Sequence, residues 1–353
     1  LAGTTVIDKT PCTVTSSAYS KSHGTAMASL LVSKEYGVAP DATLLAYRNS
    51  FPKDGDKAES DCQGHHDNSL YEPEWLINQA ITDGAQIISI SASNEDTSPA
   101  VKWAIARANA LGVIVVSPAG NDNEEETLHT YGKWSGVVSV SAIDTSGKRA
   151  EYSSWGKGVT VAAVGGPMIA HNYENNTNIS TRGTSNATPL VAGFLALAKQ
   201  KWPNATSNQL LQLLTKTALN NEGQWNKYTG YGVAAIGPML NTDPSQYPQR
   251  GIPAIPRRPR RPPRHRRRPH LHLPRHRRKH PERHGYPHTN SPGHQPPLPR
   301  QVGQKRPRVA AVWWFDAGSF VSQDQLFDEE FIRATTIATM PEIRIRMRPI
   351  GRM

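Results

Sequence analysis

The stretch "TRGTSNATPLVAG" occupies Thr181–Gly193 and places Ser185 between a Gly-Thr pair and the onset of small, apolar sequence, with Pro189 four positions later. Proline suits the first turn of a helix, where its missing N–H would have had no partner. The run from Leu190 to Ala198 is apolar with small residues, as in a helix packed deep in a core. Ser185 is therefore expected where a loop becomes a buried helix, beside unpaired backbone N–H groups and the positive end of a helix dipole. It reads either as an N-cap or as a nucleophile, and the rest of the chain decides between the two.

The first 240 residues alternate regularly. Short, β-branched apolar runs at 42–49, 85–91, 113–120, 137–143 and 159–165 read as strands, and the patterns at 24–35, 72–84 and 98–112 read as helices. Strands apolar on both faces that alternate with helices predict an α/β fold, a mostly parallel sheet with helices on both faces. Sites in such sheets gather at the carboxyl ends of the strands.

Two further stretches join Ser185. "SKSHGTAMASLL" sets His23 ahead of a helix of small residues, a second loop-to-helix junction. "VIVVSPAGND" ends a buried strand at Gly120 and exposes Asn121, whose amide is a neutral hydrogen-bond donor. A serine nucleophile needs a base to take its proton and a donor for the developing oxyanion. Serine, histidine and asparagine are the right types at the right kind of position.

His-Gly-Thr at 23–25, Pro-Ala-Gly-Asn at 118–121 and Gly-Thr-Ser-x-Ala-Thr-Pro-x-Val-Ala-Gly at 183–193 resemble the subtilisin-like serine proteases, peptidase family S8. The resemblance covers about residues 20–240 and takes in "YTGYGV" (228–233), which looks like that family's closing Gly-rich segment; the body is also similar to the mycosin type. It implies a three-layer subtilisin-like fold and a serine endopeptidase acting on a polypeptide substrate. No cofactor is expected, and no metal ligands are assigned, because the adjacent histidines of "GHHD" (64–67) in a polar loop are weak metal evidence. By resemblance Ser185 is the nucleophile, His23 the general base and acid, and Asn121 the oxyanion donor. Ser91, Ala92 and Ser93 would line the cleft, with substrate lying extended along them as an added strand.

Two departures from that pattern stand out. "ISIS" is followed by Ala92, Ser93 and Asn94, without the family's glycine. The third member of a Ser-His-Asp triad is either Asp8, which ends the apolar run Val6-Ile7 but is followed by Lys9, Thr10, Pro11 and Cys12, or a residue upstream of Leu1. Without an aspartate the alternative is a catalytically impaired pseudoprotease or peptide-binding protein.

The net charge of +11 belongs to one stretch. Residues 251–300 hold 14 Lys/Arg and one acid, Glu282, a balance of +13, which leaves the remainder at −2. Rich in Pro, Arg and His and almost free of aliphatic residues, this tract cannot bury enough apolar surface to offset ordering entropy. The expected organisation is a peptidase domain over 1–245, a disordered basic tail over 246–308 and an unassigned segment over 309–353, with the body folding without residues 251–353. The tail reads as a polycation for nucleic acid or an anionic surface, or as a shifted reading of a GC-rich linker. No run of 18 apolar residues marks a membrane span. The chain opens without Met or a signal peptide and reads as a fragment or processed form, secreted or cell-surface associated. Cys12 and Cys62 are the only cysteines and read as a disulfide or as two free thiols.

Overall fold

The computed structural model describes residues 1–249, apart from 12, 49–58, 61–72, 93–98, 126–129, 176 and 220–223, together with residues 307–312. In chain order the elements are β1 (Thr5–Asp8), β2 (Val14–Thr15), α1 (Ala18–Val32), β3 (Thr43–Tyr47), β4 (Glu59–Ser60), α2 (Pro73–Thr82), β5 (Ile87–Ile90), α3 (Pro99–Ala110), β6 (Ile114–Pro118), β7 (Val137–Ile143), β8 (Val159–Val164), β9 (Met168–His171), β10 (Asn178–Thr181), α4 (Thr184–Lys201), α5 (Ser207–Lys216), α6 (Ile236–Asn241) and β11 (Arg308–Val312).

Seven strands form one parallel sheet in the order β1-β3-β11-β5-β6-β7-β8. The apolar runs become its interior because both faces are covered. Alternate residues of one strand enter opposite cores, as the two-residue repeat of a strand requires. Leu44, Ile87 and Val116 pack with α1, α4 and α5, whereas Leu45, Ile88 and Val115 pack with α2 and α3. This is the three-layer arrangement expected from the alternation of strand and helix.

Helix α4 runs through the first core and is buried around most of its circumference. A Cβ at Gly193 would lie 2.7 Å from Val38 Cγ1 and 3.3 Å from Leu31 Cδ1, so the missing side chain lets α4 close against α1 and the loop after it. The glycine-rich segment at 228–233 runs along the outer side of β8, where Tyr231 N donates to Thr160 O at 2.9 Å and Ala234 N to Ala162 O at 2.8 Å. Gly230, at φ +59, approaches so closely that a Cβ would meet Thr160 O at 2.2 Å.

Two features differ from the reading of the sequence. Helix α1 starts at Ala18, with Ser17 Oγ accepting from Ser20 N as its N-cap, so His23 lies within the helix and not ahead of it. The stretch "SAYSKS" contains neither Gly nor Pro to end a helix, and a capping serine is enough to start one there. The second difference is β11. It lies in the middle of the sheet, flanked by β3 and β5, although it follows the basic tract. Its Val-Ala-Ala-Val run is β-compatible and apolar, but it is too short to stand out beside fifty residues of Pro, Arg and His.

Candidate active site

The amino end of α4 is held at the carboxyl edge of the sheet by three strand ends. Gly183 is its N-cap at φ +151, a conformation that favours glycine. Gly183 N donates to Gly165 O at 2.8 Å, and Asn186 Nδ2 reaches the same carbonyl at 3.2 Å, which anchors the helix start to the end of β8. From the end of β6, Asn121 Oδ1 accepts from Thr184 N at 2.8 Å and from Thr184 Oγ1 at 2.9 Å. The side chain of Asn121 therefore caps α4, a service the N-cap glycine cannot perform for itself. Because both partners donate, the amide oxygen must face Thr184, and the Nδ2 donors are left on the other side, next to Gly183.

The third contact comes from the end of β5. Ser91 Oγ donates to the backbone carbonyl of Ser185 at 3.0 Å. In a regular helix that carbonyl would accept from the residue four positions on, which here is Pro189 and has no N–H. Ser91 thus supplies the hydrogen bond that the proline removes. Ser185 itself stands in the first turn of α4, not at the N-cap position, and is largely buried, with its backbone pinned on both sides.

His23 lies in the second turn of α1. This helix leads from its last residue, Val32, through a short connection to the start of β3, so it runs against the strands and its amino end lies at the carboxyl edge, as does that of α4. Tyr19 stacks on the imidazole one turn away, with ring centroids 6.4 Å apart and an interplanar angle of 28°. Burial pushes the His23 pKa down from 6.5 to about 3, so the ring is neutral near pH 7, and its buried setting disfavours the charged imidazolium unless a partner stabilises it. The same burial pushes the Tyr19 phenol up.

Asp8 is placed differently. It ends the edge strand β1, three strand intervals from β5, or about 14 Å at the usual spacing. Burial raises its pKa, but the hydrogen bonds with Thr10 and the Arg48 guanidinium outweigh that and hold it below the ordinary value. Its carboxylate accepts from Thr10 N at 2.9 Å and pairs with Arg48 Nε at 3.0 Å. Asp8 is therefore engaged in closing a local turn.

Of the expected cleft residues, Ser91 and Ala92 are buried, and Ser93 lies outside the described residues. So do Cys12, Cys62 and the "GHHD" stretch at 64–67. Sequence reasoning missed Thr184, whose single hydroxyl proton lies between two acceptors, Asn121 Oδ1 at 2.9 Å and Gly120 O at 3.2 Å; its only signal was its place directly before the serine. Asn186, which fits an Asn-x-Thr acceptor pattern, is 1% exposed, and its amide is bonded inward.

A model of the subtilase family matches residues 7–232. The chain is 34% identical over 182 residues to a thermostable alkaline protease of Halalkalibacterium halodurans, covering 52% of this chain and 46% of that protein. It is 32% identical over 206 residues to subtilisin DY of Bacillus licheniformis, covering 56% of this chain and 70% of that protein. It thus spans about half the length of the first of these relatives. The structure superimposes on MycP1 from Mycobacterium smegmatis with a TM-score of 0.55 and 22% identity, covering 67% of this chain and 74% of that one.

Proposed function

This chain belongs to the subtilase family, and from that premise we propose that it is a serine endopeptidase in which Ser185 attacks the scissile carbonyl. His23 takes the Ser185 proton and later delivers it to the leaving amine. The Asn121 Nδ2 donors, with a backbone N–H at the start of α4, stabilise the oxyanion. The observation that carries the reading is the clamp of Asn121 on Thr184. It fixes a neutral donor beside the nucleophile before any substrate arrives, and a donor that need not reorient is what lowers the barrier.

The substrate is an extended polypeptide running past the carboxyl end of β5. Ser91 spends its hydroxyl on Ser185 O, so it meets substrate through its main chain alone, as strand addition requires. The peptidase unit is residues 1–245 completed by the strand at 308–312, which lies inside its sheet, and the resemblance that assigns the activity also implies export or a cell-surface location. A fluorophosphonate probe tests the assignment. It is expected to label Ser185 and to fail on Ser185→Ala; labelling that survives the substitution overturns the assignment.

A further inference from the structure

The family match ends at residue 232, yet the strand between β3 and β5 comes from residues 308–312. We propose that Arg308–Val312 is a tethered ligand of the peptidase unit, inserted in cis into a slot between β3 and β5, and that the placement of Ser185 depends on its insertion.

The strand is bound as an interior element, not laid against an edge. Val309 pairs with Leu44 on one side and Ile87 on the other, and Ala311 with Ala46 and Ser89. The segment is also anchored where it enters the sheet. Thr43 N donates to Pro307 O at 3.0 Å, Gln86 N to Arg308 O at 2.9 Å, and Arg308 N to Gln86 Oε1 at 3.1 Å. The Arg308 guanidinium donates to Asp83 O at 3.2 Å. Val309 is fully buried in the cluster that contains Val191 and Leu195 of α4.

Removing this strand would leave β3 and β5 about 10 Å apart, two strand spacings, with unpaired N–H and C=O groups facing each other inside the protein. The sheet would have to close the gap or find another strand, and either outcome disturbs β5. The route to the nucleophile is short: Val312 pairs with Ile90, and the next residue, Ser91, holds the carbonyl of Ser185. Ser91 thus relays the position of β11 to the start of α4.

The occupant is this chain's own segment because the tether reaches. Residues 250–306 are 57 residues of chain, which at about 3.3 Å per residue can span at most about 190 Å. A unit of about 250 residues has a radius of gyration of about 18 Å, so the segment can reach the slot from any exit point. Tethering also keeps it at an effective concentration that no second copy matches in dilute solution.

The experiment uses the full chain with a specific protease site replacing residues 284–290. After cutting, the piece carrying 308–312 is expected to co-elute with the body at the mass of one chain, and Ser185 is expected to keep its fluorophosphonate labelling. Ala310→Pro in the same background removes a ladder N–H and is expected to release the piece on cutting and lower the labelling rate at least tenfold. Separation of the unsubstituted piece with labelling intact overturns the proposal. Elution at twice the mass assigns the slot to a second copy and overturns the cis arrangement. The labelling readout rests on Ser185 being the nucleophile, whereas co-elution does not, so an unlabelled but co-eluting chain would sink only the peptidase reading.

Discussion

Ser91 and Ser185, 94 residues apart, are joined by one hydrogen bond from hydroxyl to carbonyl, and the bond exists because Pro189 leaves that carbonyl without its helical partner. Proline in a helix usually costs about 3 kcal/mol, part of it the lost hydrogen bond. Here that loss is offset by a contact with a different strand. The serine motif is thereby tied to the sheet through its own backbone, and the side chain of Ser185 stays available.

Replacing Ser91 with alanine should leave a buried carbonyl unsatisfied and lower stability by about 1–3 kcal/mol. Pro189→Ala should restore the helical donor. The double variant Ser91→Ala/Pro189→Ala is expected to recover most of the loss, in denaturant midpoint and in the rate of Ser185 labelling. Equal effects of Ser91→Ala with and without the proline would show that the hydroxyl matters for another reason.

Asn121 has two jobs that two substitutions separate. Its Oδ1 caps α4 and its Nδ2 is the proposed oxyanion donor. Asn121→Ala loses both, so melting temperature and turnover should fall together, with about 1 kcal/mol from the cap. Asn121→Asp keeps an acceptor for Thr184 but has no amide N–H to give. It is expected to melt near the parent temperature while kcat falls by about 10²–10³ with KM little changed, the size of loss known for the oxyanion asparagine of subtilisin. A normal kcat in the aspartate variant would reduce Asn121 to a helix cap.

The proposed base His23 would need a carboxylate to orient it, and Asp8 is taken up by Arg48 and Thr10 on an edge strand. Asp8→Asn is expected to leave kcat within about twofold of the parent, since a surface ion pair contributes about 1 kcal/mol at most. The first acid in sequence after β11 is Asp316, outside the described residues and followed by Ala317 and Gly318. Four residues of chain reach about 13 Å from Val312. Asp316→Asn is the variant expected to lower kcat by about 10⁴, the loss that follows when a triad histidine is left in the wrong tautomer. Steady-state kinetics on the two variants settle which carboxylate serves.

Much of this was legible in the sequence. The runs at 85–91, 113–120 and 137–143 hold β5, β6 and β7, because strands buried on both faces are continuous apolar runs. Ser185 and Asn121 were legible as a pair of strand-end and helix-start residues, but the Asn121–Thr184 clamp was not, since a cap from 63 residues away has no local signature. The start of α1 was missed because one serine, Ser17, decides it. Strand β11 was missed for a reason of topology. A central parallel strand can come from anywhere in the chain, and nothing in "VAAV" states which two strands it will separate.

His23 should make the fold sensitive to acid over a defined window. Its pKa is pushed down to about 3 in the folded protein from 6.5. Between those values the unfolded chain binds a proton that the folded chain does not, so stability rises with pH through the window and is lost as pH falls from about 6.5 towards 3. His23→Gln removes the titration and keeps a neutral polar side chain. The measurement is the denaturant midpoint of parent and variant at pH 7 and pH 4. Whichever chain is more stable at pH 7, the parent is expected to lose more on acidification, and its unfolding free energy should show the steeper pH slope, by up to one proton. Parallel slopes would mean that the imidazole is hydrated enough to protonate in place, and the neutral ring proposed as the base for Ser185 would then be charged at mildly acidic pH.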